Sequence, residues 1–160
     1  MKLLMTAMIA LLMFSGTAAL ADEQTEREVR QTILDSYVET NRTNKGNADD
    51  YSREGAIEFW SSGGLMQEVT RDDDGGEYEE FNINAFHIKV TTLVPGEVAV
   101  AHFYAQGSMK PKGAPRVSNY FTRAMQVFVK EGGAWKIRSS HWSPVLSGSG
   151  TSQTSLQEED

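Results

Sequence analysis

The chain has 160 residues, a formal net charge of −7 and no cysteine. Disulfides, thiolate catalysis and cysteine-based zinc sites are therefore excluded. An acidic chain without a basic cluster is also a poor partner for nucleic acid or an anionic membrane.

Lys2 opens a nearly unbroken apolar run from Leu3 to Phe14, which Ser15-Gly16 breaks. Ala19-Leu20-Ala21 then places small residues at the two positions a signal peptidase reads. The run is far shorter than the ~20 residues a bilayer span needs. Residues 1–21 are therefore expected to be a cleaved signal peptide. No cysteine follows the run, so a lipid-modified N-terminus is excluded. The expected location is the periplasm or the exterior of a bacterial cell, with no membrane attachment after cleavage. Residues 22–146 are long enough for one domain with a real core.

Thr25-Glu26-Arg27-Glu28 has the form of a capping box, and Val29, Ile33, Leu34, Tyr37 and Val38 recur at helical spacing. A helix is expected from Thr25 to about Asn44, stopping at Gly46. The polar stretch at residues 47–55 has room for a short second helix. "AIEFW" reads as a strand, Ser61 to Gly64 as a turn and "LMQEV" as the returning strand. "TRDDDGGEYEE" is a charged loop without the ligand spacing of an EF-hand. From Phe81 onward the chain reads as a meander of long strands, with turns at Pro95-Gly96, residues 110–115 and Glu131 to Gly133. Phe86, Ile88, Val90 and Thr92 alternate along the first of these strands. Residues 147–160, serine- and glycine-rich with an acidic end, read as a disordered tail.

One amphipathic helix, a short helix, a hairpin and long antiparallel strands define an α+β domain. A strongly curved antiparallel sheet wrapped round the N-terminal helices would leave a cone-shaped hollow. This order, ending in "VKEGGAWKI", resembles the nuclear transport factor 2-like superfamily. Within it, the chain is similar to the SnoaL-like group and to the association domain of calcium/calmodulin-dependent kinase II. The resemblance covers residues 25–144 and is sharpest over Arg123 to Ser143, "RAMQVFVKEGGAWKIRSSHWS". It implies a fold, not an activity, because that fold carries enzymes, binding modules and assembly domains alike.

The resemblance supplies two residue-by-residue expectations. Ketosteroid isomerases of the superfamily use a tyrosine on the first helix, which matches Tyr37. Their general-base aspartate falls here at about Trp60 and their second acid near Met125, so that chemistry lacks its groups. Glu58 is close to the base position, but its facing is not fixed by the sequence. The kinase association domain carries three pocket arginines, at positions matching His102, Gln126 and Trp142. None is arginine here, which implies a more neutral and more aromatic pocket.

On "VAVAHFYAQ", Val98, Val100, His102, Tyr104 and Gln106 share one face and Ala99, Ala101, Phe103 and Ala105 the other. The first face becomes polar towards one end, which suits a pocket rim; a histidine hydrogen-bonded in the core is the alternative. His141 shares a face with Trp135, Ile137 and Ser139 unless a bulge intervenes. Trp135 is expected in the core, and Trp60 and Trp142 as pocket walls or subunit contacts. His87, His102 and His141 lie on separate strands without zinc spacing, and no cofactor motif is present. The expected pocket lining is Tyr37, Trp60, His102, Tyr104, Arg123, Gln126, His141 and Trp142. It would hold a small, partly apolar molecule. The alternatives are an isomerase, dehydratase or cyclase using His102 or His141 as acid/base with Tyr37 as oxyanion donor, or a non-catalytic domain that dimerises through its open sheet face.

Overall fold

The computed structural model describes residues 2–63, 65–73 and 75–145, with the backbone alone for residues 2–19. The expected tail at 147–160 lies outside the described residues. Helix α1 (Lys2–Thr43) is followed by a 3-10 turn (Ala48–Asp50) and six strands. These are β1 (Ala56–Phe59), β2 (Gln67–Val69), β3 (Tyr78–Val94), β4 (Val98–Pro111), β5 (Val117–Glu131) and β6 (Ala134–Pro144). They form one sheet in the order β2-β1-β6-β5-β4-β3. The sheet is mixed rather than antiparallel, because β1 joins the last strand in parallel, Glu58 beside Ser140. The hairpin and the four-strand meander are otherwise as expected, giving an α+β cone whose sheet is curled but not closed.

Thr25 does not begin the helix. Its hydroxyl donates to the Ala21 carbonyl 2.9 Å away and accepts from the Gly96 amide at 2.8 Å. Thr25 is thus a buried mid-helix contact to the β3–β4 turn, 1% exposed. The Glu28 carboxylate reaches Lys130 and the Trp135 indole N–H instead of closing a capping box. The helix ends where expected: Asn44 has φ +56 and its amide bonds the Thr40 carbonyl, a left-handed cap. The expected second helix is only the three-residue 3-10 turn, capped by the Asn47 side chain on the Asp49 amide.

Val29 and Ile33 are the buried stripe of α1, while Leu34 and Val38 are exposed. The stripe is narrow because the sheet meets the helix with small side chains: Ala99, Ala101 and Ala105 of β4 are fully buried. Phe103, Phe128 and Trp135 complete the core. At the far end of the helix, Asn41 donates to the Ile83 carbonyl and accepts from the Ile83 amide, at 2.7 and 3.1 Å. Asn44 likewise takes the Phe81 amide at 2.9 Å. Two asparagine side chains so act as a short backbone strand that ties α1 to β3.

Bulges decide which side chains face inward. In β3 the register against β4 slips between Phe86 and Lys89, and His87 takes φ +51. Ile83 before the slip and Ile88 and Val90 after it are all buried. Phe86 therefore does not share the face of Ile88, contrary to simple alternation. In β6 the register slips between Ser139 and Ile137, making Arg138 the extra residue. Trp135 before the slip and Ser140 after it are both buried, although their numbers differ in parity. Curvature at the other end needs Gly107: a Cβ there would lie 1.9 Å from the Asn82 carbonyl oxygen.

Candidate functional site

A strand one face of which is core normally turns its charges out. β1 does the reverse: Ile57 and Phe59 are 39% and 43% exposed, while Glu58 is 3% exposed and faces into the cone. The pairing explains its neighbours. Glu58 lies beside Ser140 of β6, and Ser140 lies beside Gln126 of β5. Gln126 in turn lies beside Ala101 of β4. One row across the inner sheet surface therefore reads Glu, Ser, Gln, Ala, and there is room above its Glu58 and Gln126.

That room is a half-open hollow of about 230 Å³. Its floor is Glu58, Gln126, Phe128 and Ile137, and Thr32, Ser36 and Tyr37 of α1 close it from above. Trp60, Tyr78, Phe81, Tyr120 and Trp142 form its aromatic walls. The mouth is crossed by two glycines: a Cβ on Gly46 would lie 1.7 Å from the Gly75 carbonyl oxygen. A wider depression of about 520 Å³, between α1 and the β5–β6 turn, is lined by Glu28, Glu39, Lys130 and Lys136. Lys130 is already spent on Glu28 and Lys136 on the Asp49 carbonyl. We therefore take the smaller, aromatic hollow as the site.

The Ser140 hydroxyl donates to Glu58 Oε1, and the Tyr51 hydroxyl also bonds the carboxyl. Burial nevertheless raises the Glu58 pKa above its ordinary 4.5, the two hydroxyls opposing it. Asp50 is raised as well, chiefly by burial, against the Ser36 hydroxyl at 2.6 Å, the charge of Lys136 and the Asn47 amide. Burial holds the Tyr37 phenol well above its usual range and pushes Tyr51 up as well, so both stay protonated. Gln126 is 6% exposed, yet its amide meets no hydrogen-bond partner among the described residues. The amide opens on the hollow; among the described residues the sealed side-chain polar atom without a partner is the Thr122 hydroxyl.

Of the residues expected at the site, Tyr37, Trp60, Gln126 and Trp142 line this hollow. His102, Tyr104, Arg123 and His141 do not: all four are exposed on the outer face of the sheet. The reason is alternation. On β4 the alanine face is the inner one, small enough to admit α1, so His102 and Tyr104 point out. Arg123 on β5 bonds the Ser143 hydroxyl outside at 2.8 Å. The β6 bulge puts His141 outside and Trp142 inside, where its ring meets Phe103 edge-on at 5.6 Å. His141 instead lies 5.7 Å from the Phe59 ring. His102 and His141 are thus out of reach of any ligand in the hollow. Of the positions matched to the kinase domain's arginines, Gln126 and Trp142 face inward and His102 does not.

The residues that sequence reasoning missed are Ser140, Tyr51 and Asp50, and Glu58 was named there with its facing left open. A signal for Glu58 existed in "AIEFW", where two large apolar residues flank an acid at period two. Reading it required knowing that the outer sheet face is the apolar one.

No family model and no curated protein matches the chain. Solved structures do. A protein assigned to the dehydratases of the nuclear transport factor 2-like family, from Streptomyces avermitilis, superposes with a TM-score of 0.59. It is 16% identical, over 78% of this chain and 99% of that one. A nuclear transport factor 2-like protein of unknown function from Pseudomonas putida gives 0.53 at 20% identity, over 76% and 87% of the two chains. The fold is nuclear transport factor 2-like. A protein assigned as a scytalone dehydratase, from Novosphingobium aromaticivorans, gives 0.58 at 10% identity, over 76% and 93%. At such identities the likeness carries the nuclear transport factor 2-like fold and no activity.

Proposed function

We propose that this domain is exported and binds a small, partly apolar molecule in its hollow. The observation that carries the binding reading is the unmet Gln126 amide two strands from buried Glu58 in the same row, inside an aromatic wall. A core needs neither group there; a ligand with one polar end and an apolar body satisfies both. The volume is below the ~300–1,000 Å³ usual for drug-sized ligands, which favours a small one. Acid–base chemistry by His102 or His141 has no support, since both lie outside the hollow.

A metabolite thermal-shift screen tests the binding reading, because a ligand of the native state raises stability by mass action. Hits are expected to lose their shift in Trp142→Ala and to keep it in His102→Ala and His141→Ala. Hits insensitive to Trp142 but lost with either histidine would overturn the placement. Export is tested by the N-terminal sequence of the protein recovered outside the cytoplasm, expected to begin at Asp22.

A second reading concerns the outer face, where Ile57, Phe59, Tyr104 and Met125 are each exposed by more than a third. Such a patch favours self-association through the open sheet, as a homodimer. Light scattering would then report a dimer that Met125→Lys converts to a monomer.

A further inference from the structure

Among the described residues the hollow holds acids and acceptors but no cation. Asp50 and Glu58 line it, and none of the described lining residues is lysine or arginine. Asp50 is already served by Ser36, Asn47 and the nearby charge of Lys136. Glu58 is not: its partners are two hydroxyls, and it has no ion-pair partner among the described residues. Ser140 and Tyr51 each give it one hydrogen bond, and two carboxylate oxygens together can accept more than two, so a ligand donor can be added. Two strands away in the same row, Gln126 offers an amide oxygen that nothing else uses. Around this pair stand the rings of Trp60, Tyr78, Tyr120 and Trp142, whose faces attract positive charge.

We propose that the hollow binds an organic ammonium ion with an apolar, aromatic-sized body. Its N–H donors go to Glu58 and Gln126, and its body lies on the tryptophan and tyrosine rings. The inference rests on the reading of the hollow as a ligand site and adds the ligand's chemical class. A carboxylate ligand would face Glu58 and Asp50 without a compensating cation. A neutral ligand would leave Glu58 a buried acid without a counter-charge. An ammonium ion supplies the missing opposite charge.

Titration calorimetry with three probes of one shape tests this: 2-phenylethylamine, 2-phenylethanol and phenylacetate. The amine is expected to bind roughly tenfold or more tightly than either other probe. Glu58→Gln, nearly isosteric, is expected to abolish that preference, the amine losing at least tenfold more affinity than the alcohol. Gln126→Ala should weaken the amine too, and gives the same reading if the Glu58 variant fails to fold. Equal or tighter binding of the alcohol or the carboxylate overturns the ammonium assignment and leaves the hollow as a ligand site. So does an amine preference that survives both substitutions. If no probe binds, the ammonium assignment fails. The ligand-site reading falls with it only if the wider metabolite screen also finds no hit.

Discussion

The two ends of the cone treat their carboxylates in opposite ways. At the end near the β5–β6 turn, Glu28 takes Lys130 at 2.6 Å, the Trp135 indole at 2.9 Å and Gln24 at 2.9 Å. Glu131 takes the Ser52 hydroxyl, the Arg53 amide and guanidinium, and Arg71. These donors hold both acids down at about 2. At the hollow end, Glu58 has hydroxyls for partners and no cation among the described residues, and burial raises it. An acid surrounded by donors and cations strengthens the fold at neutral pH, whereas an acid left without a counter-charge weakens it. The first end is built for stability. The second keeps unmet groups that a ligand can use.

That contrast is broken most strongly at Trp135. Trp135→Ala removes a buried ring that spans sheet and helix and strips Glu28 of one donor. It is expected to cost about 3–5 kcal/mol in urea denaturation, more than Trp60→Ala, whose ring is half-exposed at the mouth. Thr25→Val comes next. It keeps the shape but leaves the Gly96 amide without its acceptor, at a cost of about 1–3 kcal/mol by the same measurement. Glu131→Gln is smaller, about 1 kcal/mol once partial solvent screening of its arginines is allowed for. Its sign with pH is definite. A pKa lowered from 4.5 to about 2 gives stability that is complete above 4.5 and disappears as pH falls through 2. The gap between Glu131→Gln and the unsubstituted protein should therefore close in acid.

How much of this was legible in the sequence follows from the range of each signal. Strands, turns and the helix stop depend on neighbours in the chain, and "EGGAW", Pro95-Gly96 and Asn44 announced them. The inner residues of the last strands depend on two bulges, and no local pattern marks Arg138 or His87 as the extra residue. Alternation from Trp135 alone puts His141 inside and Trp142 outside, the reverse of what is found. On β4 the alternation itself was read correctly, but the face was not. His102 looked like the functional side because it was polar, whereas the alanines were inner because a helix had to fit over them. The capping box failed for a related reason: Thr25 and Glu28 find better partners at Gly96, Lys130 and Trp135, residues far along the chain.

The smallest effect separates the two ends most clearly. Glu58 has a raised pKa in the folded protein, so the native state holds its proton more tightly than the unfolded chain does. Its contribution is complete below about 4.5 and is lost as pH rises through the raised value. Asp50, raised from 3.8, acts with the same sign and must be held constant. In Glu58→Gln the neutral amide still accepts from Ser140 and has no proton to lose. The variant is therefore expected to match the unsubstituted protein near pH 4 and to become the more stable of the two at pH 8. Melting temperatures across that range, read beside Glu131→Gln, give two curves of opposite slope. A Glu58→Gln curve that ran parallel to the unsubstituted protein would mean that Glu58 is solvated or paired after all, and the hollow would lose its unsatisfied acid.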